Sequence, residues 1–211
     1  MTQKLEEYKK LSKLSYDDAI AFLLKKYGSA KDDYFKEKSY ERFLKGEIKS
    51  PAKNPIQRTD EGLYVHHIDE ISAPDISNKT FIQLLNYEFD LQKANRLVYC
   101  DLVEHLILHF IITREATGAQ GQGGVVNFLA PEYIIWYIDG TKPKADNPRS
   151  AWKLNCYKKS FLSKEEATEL LDFLLSNSTI NYEDVRIDEF RAIIRKTASY
   201  KSEQDIKNQW S

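Results

Sequence analysis

All four histidines of this 211-residue chain fall within 44 residues: His66 and His67 are adjacent, and His105 and His109 lie four apart. Imidazole is the commonest metal ligand and ordinarily titrates close to neutrality, so a clustered set points to metal binding, proton transfer or both. Residues four apart share one face of a helix, which lets His105 and His109 address a single ion, with Asp101 on the same stripe. The other faces of that helix carry Leu102, Val103, Leu106, Ile107, Phe110 and Ile111. Such a helix is expected to be buried, and buried imidazoles need partners. Either a metal ion sits against the histidine face, or the two rings are core histidines bonded to backbone or carboxylates.

His66 and His67 occupy a short run, 63–68, rich in strand formers. Neighbours on a strand point to opposite faces, so the two imidazoles are expected to have different tasks. One can complete a metal set with the helix pair. The other can face substrate as a neutral imidazole able to accept a proton. Asp69 and Glu70 follow at once. They read as solvated turn acids or, with Asp101, as groups that orient a ligand imidazole. Glu104 points about 100° away from His105 around the helix and reads as structural.

Several elements must position these residues. A short helix is expected over 3–13. Ser15 and Asp18 resemble a capping box for a second helix, which Gly28 ends. A third helical segment, 30–45, carries Lys31, Lys36, Lys38, Arg42 and Lys45. Residues 47–60, with Pro51 and Pro55, read as a linker to the first strand. A helical turn or two is expected over 80–85, a second strand over 97–99, and the histidine helix from Asp101 to about Thr113. The order is strand, long excursion, strand, helix. TGAQGQGG (117–124) reads as a flexible loop and lacks the Lys-Ser/Thr ending of a phosphate-binding P-loop. PEYIIWYIDG (131–140) is apolar and reads as a buried strand or a short helix. Ser163 and Glu166 form a capping box for a helix ending near Ser176, and another helix is expected over 182–197. These elements divide into an N-terminal helical region (1–50), a core (58–115) and a mixed or helical C-terminal region (125–211).

Three pieces together, YVHHI (64–68), NRLVYC (95–100) and EHLILH (104–109), resemble the HNH, or His-Me finger, endonucleases. The resemblance covers about a fifth of the chain. It implies an α+β fold, mainly helical, around a central ββα-metal core. It also implies a metal-dependent endonuclease hydrolysing DNA phosphodiesters, of the restriction or phage-defence sort. Carried over residue by residue, it makes His66, His105 and His109 metal ligands and His67 the general base. Asn95 would hold the loop and the base histidine in place. One divalent ion is implied: three imidazoles suit Zn, Ni or Mn, while relatives often work with Mg or Mn. RNA cleavage by the same site and a non-catalytic nucleic-acid-binding protein with a structural metal are the alternatives. Many relatives staple the finger with paired CxxC knuckles. Here Cys100 has no such partner, so apolar packing must hold the helix.

Composition leaves the partner open, since 31 basic and 32 acidic residues give a net charge of -1. The distribution is less even: residues 141–160 carry Lys142, Lys144, Arg149, Lys153, Lys158 and Lys159 against Asp146 alone. A local basic surface can neutralise phosphates whatever the total charge. With Trp152 and Tyr157 interleaved, this segment reads as a nucleic-acid contact or as a solvated basic loop with its aromatics in the core. A homodimer is left open. No stretch approaches the roughly 20 apolar residues of a membrane span. The opening MTQKLEEYKK lacks the apolar core of a secretory signal. Cys100 and Cys156 form no disulfide framework, and cytoplasmic residence is the expectation.

Overall fold

The computed structural model describes residues 2–116, 120–144 and 150–178. The helix expected over 182–197 and Arg149 lie outside the described residues. The described residues are mainly helical, with one two-stranded antiparallel sheet among them. Helix α1, Gln3–Ser12, is followed by α2, Tyr16–Tyr27, whose first turn is closed by Ser15 accepting from the Asp18 backbone and whose end is Gly28. Helix α3 is shorter than expected, Glu37–Leu44. Upstream of it the backbone is held by long-range bonds: Tyr34 N donates to Gln92 O at 2.7 Å, and the Asn54 amide donates to the Asp33 carbonyl at 2.9 Å. Those partners fix 30–36 as irregular chain. Strand β1 (Tyr64–His67), helix α4 (Lys79–Leu85), strand β2 (Leu97–Cys100) and helix α5 (Leu102–Glu115) follow in the expected order.

Downstream, residues 122–138 form one helix. Two of its stretches, Val125–Leu129 and Ile134–Ile138, are wound wide, with i→i+5 bonds such as Asp139 N to Ile134 O. Pro131, which lacks an N–H, follows the first wide stretch. Residues 131–138 are therefore helix, and Gly123 and Gly124 lie in its first turn. The Trp152–Lys159 and Lys164–Ser176 helices complete the described chain, the latter with the Ser163–Glu166 capping box.

The hairpin register pairs Tyr64 with Cys100, Val65 with Tyr99, His66 with Val98 and His67 with Leu97. Strand alternation then sorts the side chains into two cores. Tyr64, Val98 and Cys100 face the larger core, built from α1, α2, α5, the 122–138 helix and the Lys164–Ser176 helix. Leu63, Val65, Leu97 and Tyr99 face a smaller aromatic core with Tyr34, Phe35, Tyr40 and Phe43. Helix α5 is buried on nearly every side, as its all-round apolar sequence requires. Arg114 ties its end to the α1–α2 turn through the Ser12 carbonyl at 2.7 Å, and Glu115 accepts from Tyr16 N at 2.9 Å. Among the described residues no helix is long and apolar enough to cross a membrane.

Candidate metal centre

Strand β1 delivers His66 to the α5 side of the hairpin, and α5 delivers His105 and His109 one turn apart. The three rings form a near-equilateral triangle, with centroid separations of 5.1 Å (His66–His105), 5.4 Å (His66–His109) and 5.1 Å (His105–His109). One ligand nitrogen from each lies within 4.8 Å of the others. His66 and His109 are buried, and His105 is slightly more open.

Neighbouring groups fix two of the tautomers. Tyr16 donates its single hydroxyl proton to the Ile68 carbonyl at 2.9 Å, so its 2.8 Å contact with His66 Nε2 is accepted from the imidazole. His66 therefore carries its proton on Nε2 and leaves Nδ1 as a lone pair. The Gly121 carbonyl can only accept, so His109 holds its proton on Nδ1, 3.2 Å away, and Nε2 is the free nitrogen. His66 Nδ1 and His105 Nδ1 are buried with no hydrogen-bond partner. Each orphaned atom costs about 1–3 kcal/mol if nothing meets it. A cation at the centre of the triangle would meet the ligand nitrogens, with the outer nitrogens braced by a phenol and a carbonyl. The donor set fits a divalent metal. Burial, followed by mutual repulsion, depresses the pKa of His66 and His105; burial takes His109 down to about 4. All three are neutral at pH 7, the protonation state that ligation needs.

Gly121 and Gly124 form a wall of this site. A Cβ on Gly124 would lie 2.3 Å from both Cε1 and Nδ1 of His109, and Gly121 has φ +77° with its Cβ position 2.7 Å from the His109 carbonyl. Only glycine lets the 122–138 helix start against the imidazole.

His67 is not brought to the cluster. It points into the smaller core, 4% exposed, with its ring edge-on to Tyr34 at 4.6 Å. Gln92 holds it: the side-chain amide nitrogen of Gln92 donates to the Ile76 carbonyl at 2.9 Å, which turns Oε1 toward His67 Nε2 at 3.0 Å. His67 therefore carries its proton on Nε2, and burial lowers its pKa to about 4. Asn95 is exposed on the turn Ala94–Arg96, and no hydrogen bond joins it to His67. The holding task expected of Asn95 falls to the fully buried Gln92.

Of the three acids expected to orient ligands, Asp101 is turned away. One oxygen caps Glu104 N at 2.9 Å and the other accepts from Tyr8 at 2.8 Å, because the residue is the N-cap of α5 rather than a member of its histidine stripe. Glu104 closes the capping box and pairs with Lys26 at 2.7 Å, a structural role as expected. Asp69 pairs with Arg96 at 2.7 Å. Glu70 alone reaches the cluster, its Oε2 lying 3.5 Å from His66 Nδ1 and 3.9 Å from His109 Nε2. Burial raises its pKa to about 7.

The hairpin edge opens into a cleft of 370 Å³ lined by Tyr34, Lys53, Gln57, Thr59, Tyr64, Val65 and Trp152. Its walls touch both histidine groups: Tyr64 lies 6.0 Å ring to ring from His105, and Tyr34 packs on His67. Of the expected nucleic-acid contacts, Lys142, Lys144, Lys158 and Lys159 are exposed, while Lys153 pairs with Glu132 at 2.9 Å. Tyr157 is buried in the larger core, leaving Trp152 as the aromatic at the cleft. No protein-family model, curated protein or solved structure matches this chain.

Proposed function

We propose that this protein is a divalent-metal-dependent nuclease of the ββα-metal kind acting on DNA. The observation that carries the reading is the convergence of three neutral imidazoles, one from the hairpin and two from the helix that follows it, with the lone pairs of His66 and His109 turned inward. A bound cation would supply charge stabilisation to the phosphate and its leaving oxygen. The chain's own residues do the positioning. His66, His105 and His109 hold the ion, and Tyr16 and the Gly121 carbonyl keep two of those rings in the ligating tautomer. The cleft beside His105 offers Lys53 and the Trp152 ring to a nucleotide, and Lys158 and Lys159 extend the basic surface along the same helix.

His67 enters as the base. Its neutral state and the Nδ1 lone pair left by the Gln92 bond suit a proton acceptor, although a pKa of about 4 makes it a weak one at pH 7. Its burial across the strand from the triad favours a second reading, a structural metal that staples hairpin to helix where relatives use cysteine knuckles.

One experiment separates the two. Supercoiled plasmid, linear DNA and structured RNA are incubated with the protein and Mg, Mn, Zn, Ni or EDTA. Metal-dependent cleavage that is lost in His105→Ala supports the nuclease, and its loss in His67→Ala with metal retained supports the base. Stabilisation by metal with no turnover on any substrate would leave the structural ion as the answer.

A further inference from the structure

Glu70 lies on the 3₁₀ turn Ile68–Ile71, directly after β1. The turn is pinned on both sides. Ala73 N donates to the Asp69 carbonyl at 2.8 Å, and the Asp69 carboxylate is clasped by Arg96 at the entrance to β2. The Glu70 side chain is thereby directed at the triad with only 20% of its surface exposed.

What it meets there is unusual. Its Oε2 faces His66 Nδ1 at 3.5 Å and His109 Nε2 at 3.9 Å. Both nitrogens are the unprotonated ones, since Tyr16 and the Gly121 carbonyl take the N–H of each ring. With Glu70 ionised, neither contact is a hydrogen bond: an acceptor faces two acceptors. No lysine or arginine among the described residues pairs with Glu70, and the charge acting on it, Asp75, repels. An ionised, largely covered carboxylate in that position is best met by a cation. Tetrahedral zinc with bonds of about 2.05 Å has ligand–ligand edges of about 3.4 Å. The His66 separation is close to this and the His109 separation about 0.5 Å longer, so the carboxylate would close in on an ion already held by the three imidazoles.

Resting on the metal-centre reading above, we propose that Glu70 is the fourth ligand of the ion, giving a centre of three imidazoles and one carboxylate. That donor set suits Zn, Mn and their first-row neighbours over Mg, whose preference is for oxygen and water. It also makes the ion's open position conditional. With Glu70 bound the tetrahedron is closed, and a phosphate oxygen enters only if the coordination number rises or the carboxylate swings aside.

The test uses the full chain, stripped with chelator and titrated with Zn and with Co against a competing chelator. The wild type should bind one ion. Glu70→Gln keeps the shape and removes the charge, and should bind both metals more weakly by at least the roughly 10- to 100-fold that loss of an outer partner of a ligand costs. The visible Co spectrum should change as well, because a water or an empty position replaces the carboxylate. The metal-free Glu70→Gln protein should be at least as stable as the metal-free wild type, since the uncompensated charge is gone. Glu70→Ala provides a second variant should the amide find a partner of its own. Wild-type affinity and an unchanged Co spectrum in both variants would overturn the assignment while leaving the three-histidine centre standing. A wild type that binds no ion would sink the metal reading itself.

Discussion

Gly123 and Gly124 begin the same helix, yet alanine should act on them in opposite directions. Both have helical backbone, with no positive φ to forbid a side chain. Replacing glycine by alanine in a helix gains up to about 1 kcal/mol from propensity. At Gly123 nothing opposes the gain, because the nearest atom to a new Cβ is Asn127 Nδ2 at 3.9 Å. At Gly124 the Cβ would sit 2.3 Å from two atoms of the His109 ring. Carbon contacts are comfortable near about 3.5–4 Å, so the ring must retreat by more than about 1 Å. His109 is 4% exposed and bonded to the Gly121 carbonyl at 3.2 Å, so retreat stretches that bond and crowds the core. Overpacking of this kind costs about 1–3 kcal/mol. Gly124→Ala should therefore fall roughly 2 kcal/mol below Gly123→Ala in the chelator-treated protein. Disturbing the carbonyl that orients the ligand ring should also weaken metal binding by about 10- to 100-fold, with Gly123→Ala unaffected. Urea unfolding in EDTA and a competitive metal titration read the two effects separately. If Gly124→Ala matched Gly123→Ala in both, the imidazole would not lie against this helix and the site geometry would be wrong.

Two further outcomes follow from the same geometry. Tyr16→Phe removes the oxygen that fixes the His66 tautomer, and should reduce metal affinity by about 10-fold or more while the fold persists; equal affinity by titration would show that the hydroxyl only supports packing. In chelator, stability should fall as pH drops from 6.5 toward 4, because all four histidines have depressed folded pKa values and the unfolded chain binds their protons first. A shift such as that of His67, to about 4, is worth on the order of 3 kcal/mol, all of it present above pH 6.5. Glu70 and Glu104, both raised to about 7, act in the opposite sense, stabilising the fold as they protonate between about pH 7 and 4.5. Four groups outweigh two, so unfolding midpoints that stayed flat or rose on acidification would contradict the burial of the histidines.

The elements of this site were legible in the sequence because each obeys a local rule. The four-residue spacing of His105 and His109 stacks them on one face of α5, strand alternation separates His66 from His67, and Ser15 and Ser163 mark helix starts by their own capping bonds. What holds those side chains was not legible. The group that fixes His66 comes from Tyr16, 50 residues upstream, and the brace of His67 is Gln92 rather than Asn95, because one turn of 3₁₀ chain leaves Asn95 facing solvent. Asp101 shares the histidine spacing but sits one step outside the helix, so its carboxylate closes the cap and leaves the cluster. The glycine run reads as loose chain until α5 is laid beside it and His109 fills the space a Cβ would take. Periodicity and caps are properties of neighbours along the chain. Which group meets which ring depends on how the hairpin, α2, α5 and the 122–138 helix settle against one another, and only the packed cores decide that.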